Sequence, residues 1–237
     1  MQKILFHFAM LKECPKSLIA EAPKNYYGAK EYAEGLEGLY DSIYDNLKIW
    51  VSGASPNRVL DLTPDLVALL SDCDQIFNFG LCGGISGDLE VGKIVAVDTV
   101  ANLDLKMPGY KIGQSDNPTA DILKLASYPS DSKQVACTTS NKFVTKDYLD
   151  FVQKDESSPL TAAYFADKNL SGLICDMELF YLVKLAAAFK NSMKISSFKM
   201  VSDLVIKDDN YSEYEGTLEN LMDGLHAKAE EIAKNIA

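Results

Sequence analysis

The apolar positions of this chain follow two periods. Lys3–Met10, Leu47–Ser52, Ile76–Phe79, Lys93–Val100, Gln134–Thr138 and Ile195–Val201 are short, almost continuous apolar runs. That pattern predicts strands buried on both faces. Between them the period lengthens. Leu66, Val67, Leu69 and Leu70 follow Thr63-Pro64-Asp65, where Thr63 caps a helix and Pro64 takes its first position. Asp176–Phe189 reads as a second helix. The last segment puts Leu218, Leu221, Leu225, Ala229, Ile232 and Ile236 on one helical face, with Ser212 and Glu215 as a capping box ahead of it. Alternating strands and helices predict an α/β layer fold. No internal repeat or linker-like stretch interrupts the chain, so residues 1–237 are read as one domain.

The punctuation between these runs is equally informative. Ser52-Gly53 and a turn containing Pro56 close the second strand, and Asp88-Leu89-Glu90-Val91-Gly92 is a polar turn. Gly80-Leu81-Cys82-Gly83-Gly84-Ile85-Ser86 reads as a glycine-rich turn at the end of the run from Gln75 to Phe79. Residues 104–133 carry Pro108, Gly109, Gly113, Pro118 and Pro129 and are the least regular part, with a short helix predicted over Thr119–Ala126.

Composition removes several classes of function. A net charge of −11 argues against a nucleic-acid partner held through phosphates. Arg58 is the sole arginine, which matters because arginine is suited to bidentate phosphate binding. Cys14, Cys73, Cys82, Cys137 and Cys175 form no CxxC pair, as expected for free thiols in a reducing compartment. No apolar stretch is long enough to span a membrane, so a soluble cytoplasmic protein is expected. His7 and His226 lie far apart, leaving no His-rich metal site and no Ser-His or Cys-His nucleophile. No metal and no cofactor are expected.

Two acids stand where chemistry is expected. Glu178 follows Ile174-Cys175-Asp176-Met177, where an apolar run turns into a helical pattern, and Asp203 ends the run Lys199-Met200-Val201-Ser202. Carboxylates at strand ends of an α/β sheet face the crevice where ligands bind. Gly80, Gly83 and Gly84 let a backbone approach a ligand closely, although their spacing is not the dinucleotide fingerprint GxGxxG.

Residues 77–98 (FNFGLCGGISGDLEVGKIVAVD), 137–144 (CTTSNKFV), 174–180 (ICDMELF) and 200–204 (MVSDL) occur in the order and spacing of the nucleoside phosphorylase family. The chain resembles most closely the 5′-methylthioadenosine/S-adenosylhomocysteine nucleosidase branch. The resemblance implies one α/β domain with a twisted, partly barrel-like mixed sheet flanked by helices. It implies an enzyme that cleaves the bond between a ribose and a nucleobase, and a homodimer. Met177 and Glu178 then match the pair that holds the ribose hydroxyls, and Asp203, after Ser202, the acid that protonates purine N7. Phe143 matches the aromatic that stacks on the base, and Val144 the next residue, whose backbone contacts it. Ala9-Met10-Leu11-Lys12-Glu13 resembles the segment that places Glu13 on the attacking water, with Met10 toward the 5′ end of the site and Gly80 in the glycine segment.

The chemistry of these residue types agrees. Glycosidic cleavage passes through an oxocarbenium-like state and needs an acid for the leaving group and a carboxylate near the sugar. An Asp at 203, where an Asn would be no acid, suits a purine that leaves protonated. Phosphorylases of the family bind phosphate through several arginines and a Ser or Thr, and Asn78 and Leu81 hold two of those places here. Hydrolysis by water is therefore favoured over phosphorolysis. Asn141 also departs from the pattern, standing where the nucleosidase motif commonly has an acid. Methylthioadenosine, S-adenosylhomocysteine, futalosine and other purine nucleosides all remain open as substrates. A non-catalytic nucleoside-binding or storage protein is the alternative outside enzymology, and it would not need Glu178 and Asp203 together.

Overall fold

The thirteen residues of β4 (Gln75–Gly87) organise the sheet by being long enough to serve three neighbours. In the computed structural model, which describes residues 2–20, 37–104, 122–147, 172–205 and 211–236 (backbone alone at 86–87 and 211–220), the first half of β4 pairs in parallel with β1 (Ile4–Phe8). Its second half pairs antiparallel with β8 (Gly172–Asp176). Along its other side β9 (Lys194–Leu204) runs parallel from Gln75 to Gly84. β8 continues to β7 (Lys133–Thr139), β7 to β5 (Ile94–Asn102), and β5 returns to β9. These five strands close on themselves. Outside the ring, β1 leads to β3 (Leu47–Val51) and β2 (Gly38–Asp41), and β6 (Ile122–Lys124) hangs on β5. The mixed, partly closed sheet is the architecture that the resemblance implied.

The predicted glycine turn is not a turn. β4 passes straight through Gly80–Gly84, and what the glycines supply is room. A Cβ on Gly83 would lie 2.8 Å from Val205 Cγ2 and 3.0 Å from Cys175 Sγ, and one on Gly84 2.7 Å from Leu204 Cδ2. The register with β9 slips between Cys82 and Gly83, and that with β8 between Gly84 and Ser86. Such bulges bend a strand, and closing a ring of strands requires bending.

Four helices occur among the described residues: α1 (Pro56–Val59), α2 (Pro64–Asp72), α3 (Leu179–Phe189) and α4 (Tyr211–Ile236). Thr63 Oγ1 accepts from Leu66 N at 3.3 Å and Pro64 opens α2, as predicted. The turn at Pro56 tightens into one turn of helix. The described part of the predicted helix over 119–126 is instead a strand, because Ile122 and Leu123 pair with Ala101 and Val100 at the edge of β5. The backbone is already helical at Tyr211, so Ser212 lies inside α4 and not ahead of it; the side chains of the proposed capping box are outside the described residues.

Strands buried on both faces follow from helices on both faces. Phe6, Phe8, Phe77, Phe79 and Phe198 alternate along β1, β4 and β9 and pack with Leu225, Ala229 and Ile232 of α4. On the opposite face Leu5, Ile76 and Ile195 meet Leu66 and Leu70 of α2 and Leu182 and Leu185 of α3. α3 therefore starts at the carboxyl end of β8, beside the end of β9, and this fixes where the two predicted acids meet.

Candidate active site

A cavity of about 260 Å³ opens over the carboxyl ends of β1, β8 and β9 and the middle of β4. Of the residues predicted for the site, Met10, Glu13, Phe143, Val144, Met177, Glu178, Ser202 and Asp203 all line it. Gly80 does not. It lies behind the wall, where a Cβ would come 3.4 Å from both Glu13 Oε1 and Lys199 Nζ, an ordinary contact distance.

Glu13 is brought to the floor by a turn. β1 ends at Phe8, and the single 3-10 turn Leu11–Glu13 folds the side chain back on the strand end. Its Oε2 accepts from the amides of Ala9 at 3.0 Å and Met10 at 2.9 Å, and its Oε1 accepts from Leu81 N at 3.2 Å. Glu13 is 1% exposed. Burial raises its pKa, and the Met10 amide, Lys199 and the other amides only partly oppose this.

Glu178 sits at the junction of β8 and α3 and is buried. Desolvation drives its pKa well above the ordinary carboxylate range. Lys199 pulls it back, while the Asp176 and Glu13 carboxylates push it further up.

Asp203 occupies the far wall, less deeply buried. Ser202 Oγ lies 2.6 Å from Asp203 Oδ1 and 3.0 Å from Cys82 O. A hydroxyl has one hydrogen, and a carbonyl only accepts. Ser202 Oγ is within donating reach of both acceptors, Asp203 Oδ1 and Cys82 O, and its single hydrogen serves one of them at a time. Burial raises the Asp203 pKa, against the opposing Ser202 contact. Burial is the larger effect and favours a carboxyl that carries a proton.

Phe143 stands at the rim, 55% exposed, with Val144 buried behind it. The segment that carries them is held from beneath. Ser140 N donates to Asp176 O at 3.0 Å, and Asp104 accepts from Ser140 Oγ at 2.8 Å and from Asn141 N.

Two residues at the site, Asp176 and Lys199, were missed in the sequence. Lys199, 1% exposed, points its ammonium to Asp176 Oδ2 at 2.8 Å. Burial works against its charge, but Asp176 and Glu178 outweigh that and leave its pKa raised. The signal was available: one lysine inside a strand otherwise buried on both faces is a group that must be paired.

Asn78 does not line the cavity. It accepts from Ser197 Oγ at 2.7 Å and donates through Nδ2 to His7 Nδ1 at 2.9 Å. His7 therefore carries its hydrogen on Nε2, given to Ser52 Oγ at 2.9 Å, and Ser52 donates to Gly53 O at 2.9 Å. Burial, followed by Lys199, pulls the His7 pKa down to about 3, so the ring is neutral. Arg58 pairs with Glu37 at 3.4 Å, away from the cavity. Among the described residues no group of three His, Cys, Asp or Glu is placed to hold a metal, and no helix is long and apolar enough to cross a membrane.

The sequence profile described as the Phosphorylase superfamily matches residues 60–234. Among solved structures the chain is similar to a candidate 5′-methylthioadenosine/S-adenosylhomocysteine nucleosidase from Borrelia burgdorferi B31 bound to adenine, at 18% identity and a TM-score of 0.71 over 98% of this chain and 99% of that one. It is similar to the Arabidopsis thaliana 5′-methylthioadenosine nucleosidase, at 19% identity and a TM-score of 0.69 over 100% and 96%. It is similar also to the futalosine hydrolase of Helicobacter pylori strain 26695, at 14% identity and a TM-score of 0.71 over 99% and 98%. No curated protein matches the chain. At these identities the structural likeness establishes the fold.

Proposed function

We propose, from the premise that the chain belongs to the phosphorylase superfamily, that it is a purine nucleosidase acting by hydrolysis of the N-glycosidic bond. The observation that carries the choice of water over phosphate is the position of Glu13. Converging backbone amides make an anion site. Here the amides of Ala9, Met10 and Leu81 converge on a side-chain carboxylate, which fills the place an inorganic anion would take. Leu81 adds apolar volume to the same wall, and Arg58 is elsewhere. This adds to the reading of Asn78 as standing where the phosphorylases carry an arginine.

The roles we assign are those the resemblance implies, and the geometry and charge of the cavity support them. Asp203, protonated, donates to N7 of the purine, so that the base leaves neutral. Glu178 accepts from the ribose hydroxyls, and these hydrogen bonds strengthen as positive charge develops on the sugar. Glu13 orients a water toward C1′ and takes its proton as the C–O bond forms; the products are the free sugar and the free purine. Phe143 covers a face of the base, Val144 and Ser202 bound it, and Met177 and Met10 flank the sugar and its 5′ substituent. A 5′-modified purine nucleoside such as methylthioadenosine, S-adenosylhomocysteine or futalosine is the substrate class we favour, because solved structures of similar fold include nucleosidases named for the first two and a hydrolase named for the third. We read residues 1–237 as one catalytic domain that pairs as a homodimer. The five unpaired thiols support a cytoplasmic location.

The test is incubation with a nucleoside panel, with and without phosphate, reading free base and sugar. Base release independent of phosphate supports the reading. Ribose 1-phosphate formed only in phosphate overturns it in favour of a phosphorylase, and no release from any nucleoside points to a binding protein. A sedimentation mass near 26.1 kDa at micromolar concentration would refute the dimer.

A further inference from the structure

The start of α3 is capped in an unusual way. A helix leaves its first amides without intrahelical partners, and the side chain at the N-cap position normally covers one of them. Glu178 holds that position and makes no side-chain cap hydrogen bond. Two of the donors are taken by other residues, one close by in the chain and one distant. Leu179 N donates to Asp176 Oδ2 at 3.1 Å, and Phe180 N donates to Thr139 Oγ1 at 3.0 Å. Thr139 spends its own hydroxyl hydrogen on Asp176 Oδ1 at 2.6 Å. Lys199 completes the set from β9, at 2.8 Å from Asp176 Oδ2.

Each part of this arrangement is buried, and each is placed by a different strand. Thr139 ends β7, is fully buried and does not line the cavity; Asp176 ends β8, where it pairs in register with Thr139. A threonine hydroxyl is suited to the role because it accepts one hydrogen bond while donating another. Without it, the Phe180 amide would be a buried donor with no partner, at the positive end of a helix dipole, one residue beyond the neighbouring Leu179 amide. Glu178 stands two residues before that donor, and N-cap side chains ordinarily bond to the amide two or three residues on.

We propose that Thr139 and Asp176 are positioning residues for Glu178: by occupying the first amides of α3 they keep its carboxylate from capping the helix and leave it directed into the cavity. The inference rests on Glu178 acting on the sugar, as proposed above. It also explains why a carboxylate at a helix N-terminus, where it could be satisfied within its own turn, is instead held among Lys199, Asp176 and Glu13.

The experiment compares Thr139→Val, which has nearly the same volume and no hydroxyl, with Thr139→Ser, which keeps it. Both are made in the full chain and in a Glu178→Gln background and assayed with 5′-methylthioadenosine. Thr139→Val should lower kcat about tenfold with KM little changed, the loss of one hydrogen-bonding group, while Thr139→Ser stays within about twofold. Added to Glu178→Gln, Thr139→Val should cost nothing further, because two residues acting through one group do not add. An equal loss in both backgrounds, or no loss, overturns the proposal. A second measurement is independent of turnover. The side-chain carboxyl carbon of Glu178, followed by NMR, should titrate at lower pH in Thr139→Val than in the parent, since the carboxylate then accepts the Phe180 amide; an unchanged midpoint overturns the proposal. That titration still decides if the parent chain releases no base, an outcome that would count against the nucleosidase reading alone. Thr139→Ala, which removes the hydroxyl without adding a second methyl beside Phe180, serves the same comparisons if the valine variant does not fold.

Discussion

Asp176 and Lys199 form an ion pair of 2.8 Å with both side chains sealed from solvent. Two charges taken out of water recover their hydration only through each other and through neighbouring dipoles. Here the Thr139 hydroxyl and the Leu179 amide supply those dipoles to the carboxylate. Lys199→Met should therefore leave an unpaired buried carboxylate and cost about 3–5 kcal/mol of stability. Urea unfolding measures this. Adding Asp176→Asn to that variant should recover part of the loss, and a double variant no better than the single would show that the pair contributes no such coupling.

Asp203→Asn should be the most damaging conservative change for catalysis. General acid catalysis contributes roughly 10²–10⁴-fold, and an amide has no proton to give N7. The thermal midpoint should hold, so turnover and midpoint are measured together. Nearly unchanged turnover would make Asp203 a structural acid.

The same residue sets an expected pH dependence. Burial raises the folded-state pKa of Asp203. A carboxyl whose pKa is raised on folding contributes stability that is complete below its unfolded value, near pH 4, and is lost as pH rises through the folded value. Base release should fall over the same rise, because the proton needed for N7 is leaving. In Asp203→Asn both slopes should flatten, as read from denaturation midpoints and rate profiles between roughly pH 4 and pH 9. A wild-type alkaline limb retained in the variant would assign it to another group.

Glu13→Gln tests the amide cradle. The glutamine oxygen can take the Ala9 and Met10 amides, but its NH₂ then faces the Leu81 amide, donor against donor. A loss of about 1–3 kcal/mol is expected, together with loss of hydrolysis. Full stability with full turnover would remove Glu13 from the floor of the site.

Glu178→Gln should lower kcat more than it weakens binding, since the bonds it would make to the ribose tighten in the transition state. Measured kcat and KM that change only through KM would reassign it to ground-state binding.

What could be read from the sequence was set by period and by local chemistry. β1, β3 and β9 were visible because helices cover both faces and the apolar run is unbroken, and Thr63-Pro64 marked α2 through rules internal to a few residues. Gly80–Gly84 was misread because glycine serves turns and close packing alike; only the positions of Val205, Cys175 and Leu204 on other strands decide between them. The partners of Asn78 were hidden for the same reason, His7 and Ser197 lying on β1 and β9. Glu178 and Asp203 were legible from their places at the ends of apolar runs. Lys199 and Thr139 were not, since their meaning is a partner far along the chain.

The ring of β4, β8, β7, β5 and β9 has no free edge, and no strand can leave it without breaking two ladders at once. Leu81, Asp176 and Asp203 hang from three of those strands. Local fraying cannot take one of them away and leave the others. Amide exchange at Cys175, inside β8, should accordingly require cooperative opening of the barrel, and the part of the cavity wall that these strands carry is lost together with the tertiary structure.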